Sequence, residues 1–405
     1  MTPQLNAMRR NARGLNRPDK MSVIQDTRLD YNPPMHARFL TLLCLLAACA
    51  SPTPDAGQPS TSSVAERPKV RLGFFPNLTH APALVGVELG LFERALDSKA
   101  TLETSVFNAG PSTVEAILSG ALDVAYIGPN PTLNAYLRSR GEAVRVIAGA
   151  SSGGAALVVA PGIEKSADLV GKVLASPQLG GTQDVALRIW LTQQGHKVAL
   201  QGGDVQILPQ ENAQTLETFR TGKVAGAWLP EPWVSRLVRD AGAKVLIDER
   251  TLWPGGRFVT THIIARTAWL EANPDLVDRL LDAHLDALQV IEREPAKARE
   301  AVSARIGKIT GQPIPLPLLE AAWPNLEFTV DPIQESLRVS AENAVAVDLL
   351  KPFTIPLDGL YALAPLRARL AARGRPEGAL SLSESPAPAS VLPETASAAA
   401  GATAP

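Results

Sequence analysis

The sequence predicts an α/β protein of two similar lobes, each a mostly parallel sheet flanked by helices. Three observations carry this. From about Lys69 onward, strand-like and helix-like segments alternate, which is the grammar of parallel sheets. A block also recurs. "SGALDVAYIGPNP" and "TGKVAGAWLPEP" align Gly120 with Gly222, Ala125 with Ala227, Tyr126 with Trp228 and Ile127 with Leu229 at an offset of 102, while "LTHAPAL" aligns with "GTQDVAL" at an offset of 103. Finally, the chain has only two cysteines, Cys44 and Cys49, both near its start. The rest has no thiol for a disulfide or a thiolate metal site, so a hydrophobic core must hold it, and two lobes supply one naturally.

The N-terminal segment reads as a leader. Phe39 to Ala48 is apolar but for Thr41, and as a helix it would be roughly 15 Å long, half a bilayer core. His36 and Arg38 give it a positive flank, and Ala47-Ala48 the small residues a signal peptidase requires. Leu46-Ala47-Ala48-Cys49 is similar to a bacterial lipobox, which marks Cys49 for lipidation; an ordinary secretory signal is the competing reading. Residues 1–34 are polar and aperiodic, so Met35 reads as the true start and 1–34 as an over-extended gene start. Residues 35–48 are then the signal peptide. Residues 49–68, rich in Ser, Thr, Pro and Gly, read as a flexible linker, and 374–405 as a disordered tail.

Between these ends the elements follow in order. "KVRLGFF" is a strand, followed by loop "PNLTHAP" and an apolar helix from Ala83 to Leu91. "TLETSVF" alternates as a strand. Ser112 and Glu115 have capping-box spacing, with Gly120 closing their helix. "LDVAYI" and "VRVIAGA" are further strands. In the last third, Asn273 is a candidate N-cap with Pro274 at the first helical position. Leu276, Val277, Leu280, Leu281, Leu285 and Leu288 recur at helical spacing, and His284 falls on that stripe as a structural histidine.

Ligands of open parallel sheets bind beyond the carboxyl ends of the strands. Four loops qualify: 76–82, 128–131, 177–184 and 230–232. Two from each half predict a small ligand clasped between lobes. Gly180-Gly181-Thr182-Gln183 runs straight into a helix, which suits an anion through free N–H groups and the helix dipole; a plain Gly-Gly turn with a threonine cap reads equally well. Asn77 and His80 offer polar groups in the matching loop of the first half. Tyr126 and Trp228 are either aromatic pocket walls or core. Glu231 is an odd companion for an anion; it accepts a hydrogen bond, meets an amino group or faces solvent. Ser152, Thr261 and His262 fall where the chain would cross between lobes.

Several function classes are excluded or unsupported. A formal net charge of −1 leaves no electrostatic footprint for nucleic acid. There is no Gly-x-Ser-x-Gly, HExxH or GxxxxGK[ST] motif. His80, His196, His262 and His284 lack the spacing of a metal site.

Together, "GFFPNLTHAPALVG", "LDVAYIGPNPTLNAY", "LGGTQDVALRIWL" and "GAWLPEPWVSRL" resemble the substrate-binding proteins of bacterial ABC importers for nitrate, sulfonates and taurine, nearest the aliphatic sulfonate branch. The resemblance runs from about Pro68 to Gly374. It implies a type II periplasmic-binding-protein fold, with residues 69–152 and 257–373 in one lobe and 153–256 in the other. It implies no catalysis and no cofactor, a monomer, an extracytoplasmic location with a lipid anchor, and delivery of an organosulfonate or related oxyanion to a permease and its ATPase. By position it implies Asn77, His80, Pro129, Asn130, Gly181, Thr182, Gln183, Trp228 and Glu231 at the ligand; Ser152, Thr261 and His262 come near the cleft floor from the placement of the two crossing segments instead. No arginine stands in these loops, and the long tail departs from the family pattern. Two alternatives remain at this stage: a thiamine-precursor pyrimidine or other aromatic or cationic solute in the same fold, and, remotely, a pyrimidine-synthase enzyme, whose cysteine-rich motif is missing.

Overall fold

The computed structural model describes residues 67–199 and 202–375. Cys49, the leader, the linker before Arg67 and the tail beyond Arg375 lie outside the described residues. Among those described, no helix is long and apolar enough to cross a membrane.

The chain first lays down β1 (Lys69–Phe74), a 3-10 turn (Leu78–His80), α1 (Ala81–Glu88), α2 (Leu91–Leu96), β2 (Thr101–Val106), α3 (Gly110–Leu118), β3 (Val124–Ile127), α4 (Pro129–Arg138) and β4 (Val144–Gly153). It continues through β5 (Ala155–Val159), β6 (Val173–Ser176), α5 (Thr182–Gln193), the small hairpin β7 (Val198–Ala199) and β8 (Gly202–Gly203), β9 (Gln206–Pro209), α6 (Asn212–Arg220), β10 (Gly226–Pro230), α7 (Trp233–Ala241) and β11 (Lys244–Asp248). The last part comprises β12 (Val259–Arg266), α8 (Thr267–Ala272), α9 (Pro274–Arg293), α10 (Pro295–Thr310), α11 (Leu316–Ala322), β13 (Leu326–Phe328), α12 (Gln334–Ala346) and α13 (Ala364–Ala372).

Two sheets result, ordered β13-β4-β12-β3-β1-β2 and β11-β5-β10-β6-β9. Without β13 they have one plan. β2, β1 and β3 are parallel, as are β9, β6 and β10, and each trio is followed by two antiparallel strands. The repeat seen in the sequence is therefore a repeat of topology, with β3 matching β10. Both faces of each sheet are covered by helices, so the central strands β3, β5 and β10 are buried throughout while the edge strand β2 is largely exposed.

Local details depart from the sequence reading. α3 starts at Gly110 rather than at Ser112, because Pro111 fits the first turn; Ser112 Oγ donates to Ala109 O at 3.0 Å, so no capping box forms. α1 likewise starts at Ala81, with Pro82 in its first turn. Asn273 stands at the N-cap of α9, but its side chain donates to Trp269 O at 2.9 Å. His284 is the structural histidine expected. Its Nε2 donates to Gly149 O and its Nδ1 accepts from Tyr126 Oη, each at 2.9 Å, which puts Tyr126 in the core.

The two sheets are joined at Gly153-Gly154, where β4 passes into β5 with φ of 74° and 68°. Side chains there would be strained and would strike Asn325 O and Leu326. The returning chain is pinned to this point: Phe258 N donates to Ser152 Oγ at 3.2 Å and Thr260 Oγ1 to Gly153 O at 2.6 Å.

Burial sets the pH response of this fold. His80, His262 and His284 are buried, which lowers their pKa values to about 3, about 3 and about 4. Neutral when folded, they take up protons once unfolded near pH 6.5, so their stabilisation is complete above that pH and is lost as pH falls through the interval. Each adds about 1.4 kcal/mol per pH unit of slope there. Glu249 acts oppositely: burial raises its pKa to about 7, so stability is lost as pH rises from the ordinary carboxylate range to 7. Urea midpoints should therefore peak near neutrality and fall below pH 6. Glu249→Gln should steepen the acid limb and raise stability at pH 8; an unchanged profile would contradict the assignment.

Candidate binding site between the two sheets

The carboxyl ends of β1, β2, β3, β6, β9 and β10 converge on a gap between the sheets that holds a cavity of about 40 Å³. Four helices, α3, α4, α5 and α6, begin on it, and so does the 3-10 turn leading into α1. First-turn N–H groups have no partner within a helix, and each helix start carries a partial positive charge. Among the described residues lining this cavity there is no Asp, Glu, Lys or Arg.

Its polar groups come from both halves of the fold. Asn77, His80 and Gly128 face Gly181, Thr182, Gln183 and Asn212, with Thr261 on β12 between them. The approach is close: a Cβ built on Gly128 would overlap the Thr182 hydroxyl. His80 stacks on Phe75 at 4.3 Å, and its Nδ1 accepts from Phe75 N at 3.3 Å. That bond fixes the tautomer and leaves Nε2–H as a neutral donor, since burial keeps the imidazole unprotonated. Thr261 is 1% exposed and its hydroxyl has no partner. Asn212 is 8% exposed with its side-chain oxygen likewise unpartnered. Buried polar atoms are ordinarily paired, so these two point to a missing ligand or water.

Gly181, rather than Thr182, is the N-cap of α5. The loop before it is held from below by Asp184, which accepts from Ser176 Oγ at 2.7 Å, Gly180 N at 3.0 Å and Arg188 Nε at 3.0 Å. Nothing in the spacing of Asp184 and Arg188, an ordinary helical i,i+4 pair, distinguishes this buried brace from a surface ion pair.

Of the residues proposed from sequence, Asn77, His80, Gly181, Thr182, Gln183 and Thr261 meet at this cavity, and five others do not line it. Asn130 turns away, its Nδ2 donating to Ser340 O of α12 at 3.1 Å; with Pro129, it opens α4 while Gly128 and Pro131 face the gap. Ser152 uses its hydroxyl on the inter-sheet crossing. Glu231 is buried, accepting from Ser235 N at 3.1 Å, Ser235 Oγ at 2.9 Å and Asn325 Nδ2 at 2.8 Å, so it braces the start of α7, and burial raises its pKa. His262, set near the cleft floor from sequence, instead pairs its Nε2 with Thr132 Oγ1 at 2.7 Å.

Trp228 is the fullest correction. On β10, Ala227 and Leu229 face one side of the sheet and Trp228 the other, where it packs with Trp190. It is 0% exposed, and its Nε1 donates to Glu249 Oε2 at 2.7 Å. The tryptophan that reaches across the gap is Trp233, the first residue of α7, which lines the space beside the cavity and whose Nε1 donates to Asn77 Oδ1 at 3.1 Å, while Phe75 lines the cavity itself. Asn108 Nδ2 donates to Glu211 Oε1 at 2.8 Å as a second tie across the gap. Trp228→Phe should lower unfolding stability by about 1–3 kcal/mol by removing one of the two indole donors, Trp228 and Trp253, on buried Glu249, while ligand affinity stays within twofold. Denaturant unfolding beside calorimetry checks this, and a large affinity loss would return Trp228 to the site.

The chain is 27% identical over 225 residues to the taurine-binding periplasmic protein of Escherichia coli K12, covering 54% of this chain and 67% of that protein. It thus spans about two thirds of the length of the curated relatives it first matches. The fold is similar to that of the alkanesulfonate-binding protein SsuA from Xanthomonas axonopodis pv. citri bound to MOPS (TM-score 0.59, 20% identity, 73% of this chain and 98% of that one). It is also similar to the periplasmic nitrate-binding protein NrtA from Synechocystis PCC 6803 (TM-score 0.66, 16% identity, 78% and 91%). These relatives are named as binding proteins, in line with the expectation of no catalysis, and their structures share the periplasmic-binding-protein fold expected from the sequence. The NMT1-like family profile matches residues 63–307, and the chain belongs to that family.

Proposed function

We propose that this protein is the extracytoplasmic solute-binding component of an ABC importer, that its cargo is an organosulfonate or related oxyanion, and that Cys49 anchors it through lipid. One observation carries the ligand reading: four helices start on a cavity lined by neutral groups, with a buried, unpartnered threonine hydroxyl inside. Helix ends and neutral donors favour an anion without pairing it to a fixed cation. This suits a transport ligand, since a micromolar site needs only about −8 kcal/mol and must release its cargo again. The anionic head is bound by Thr182, Gln183 and their N–H groups from one side, and by His80 Nε2–H, Asn77 and Thr261 from the other. Relatives named for taurine, alkanesulfonate, nitrate and bicarbonate support the class. The pyrimidine alternative loses the aromatic walls it relied on, because Tyr126 and Trp228 are core.

Calorimetry with ethanesulfonate, taurine, nitrate and a hydroxymethylpyrimidine tests this reading. At least one sulfonate should bind, with affinity flat from pH 5 to 8, because His80 stays neutral down to about pH 3 and a sulfonate does not titrate there. Gly128→Ala should weaken it about tenfold or more, by obstructing the closed approach to Thr182 at about 1–3 kcal/mol. Pyrimidine binding without sulfonate binding would overturn the proposal. Separately, Cys49→Ala should move the protein from the membrane to the soluble fraction, because two or more acyl chains are needed for stable attachment; unchanged membrane association would refute the anchor.

A further inference from the structure

Beside the inner cavity lies a chamber of about 440 Å³, and the two share Asn77, Asn108 and Asn212. We infer that the cargo is an elongated organic anion, with its head in the inner cavity and a bulky apolar or aromatic body in this chamber. The inference rests on the oxyanion reading above and narrows it. An inner cavity of about 40 Å³ has room for a head group only, whereas pockets that enclose a whole organic ligand run to about 300–1,000 Å³. The chamber alone reaches that range.

Glu211, Arg236 and Arg239 make part of its rim charged, and the remaining wall has the chemistry of a tail site. Ile306 and Ile314, 4% and 6% exposed, come from α10 and the segment leading to α11, with Pro313 and Pro315 beside them. Trp233 stands on α7 across the gap and is held in place twice, by its Nε1 bond to Asn77 and by the Arg236 guanidinium 4.8 Å from its ring centroid. The neck is polar. Asn77 Oδ1 and Asn108 Nδ2 are spent on Trp233 and Glu211, which leaves the unpartnered side-chain oxygen of Asn212 to accept from an N–H or O–H on the atoms joining head to body.

The test is a sulfonate series on the full chain. Each methylene moved from water into the chamber strengthens binding by about fourfold, so octanesulfonate and 2-naphthalenesulfonate should each bind at least about thirtyfold tighter than ethanesulfonate. Ala213→Trp and Gln312→Trp place bulk in the chamber from two exposed positions on opposite walls, neither of which endangers the core. Either should cut that ratio to below about fivefold, with far-ultraviolet circular dichroism and melting temperature verifying the fold. Equal affinities along the series, or a ratio untouched by both variants, would overturn this inference and leave the oxyanion reading standing. Absence of binding by every sulfonate would bring down both.

Discussion

Two sheets of one plan aim the carboxyl ends of their parallel strands at a single gap, and almost every property of the site follows from that constraint. A parallel strand must be followed by a crossover, here a helix, so each strand end delivers a helix start to the same place. α3 and α4 begin there from one sheet and α5 and α6 from the other. The gap therefore acquires a positive character from backbone alone. Charged side chains are not needed, and none of the described residues lining the inner cavity is charged.

Three buried carboxyl groups stand back from the gap. Asp184 ties Ser176, Gly180 and Arg188 beneath the start of α5; Glu231 ties Ser235 to Asn325 under the start of α7; Glu249 receives the Trp228 indole. Buried charges and carboxyls of this kind contribute little net stability, since desolvation offsets their attraction. What they supply is fixed geometry: Asp184 and Glu231 accept from donors in the loops and at the starts of α5 and α7, which holds those segments in place beside the gap. His80 shows the same economy, because one hydrogen bond from Phe75 N decides which imidazole nitrogen is the donor.

Contacts between the halves are sparse and mostly polar. Leu78 N donates to Glu231 O at 2.9 Å, Trp233 Nε1 to Asn77 Oδ1 at 3.1 Å and Asn325 Nδ2 to Glu231 Oε1 at 2.8 Å. These bonds sit around the ligand gap and the glycine crossing, and hydrophobic cores lie within each half instead. Such an arrangement suits opening by rotation about the crossing, because the few hydrogen bonds that break on opening are replaced by bonds to water while exposing a core has no such compensation.

Much of this was legible in the sequence. Alternating segment types and the 102-residue offset specify two α/β halves of one topology, because strand–helix period and loop position are local properties. The loops at 76–82 and 177–184 could be read as ligand loops, since proline and glycine before an apolar helix fix a helix start locally. Side-chain direction could not be read. Trp228 and Trp233 sit five residues apart in "WLPEPW", and which one meets the gap depends on the face of β10 that α5 covers, a matter of packing between distant segments. Asn130 is likewise claimed by α12, some two hundred residues on. The outer chamber takes a wall from 306–315, where no local pattern marks a site. The fold and the chemistry available at the strand ends are written locally in the chain, because backbone periodicity and helix starts are encoded within a few residues. Which side chains point into the gap is settled by long-range packing, because that choice is made by whatever packs on the opposite face.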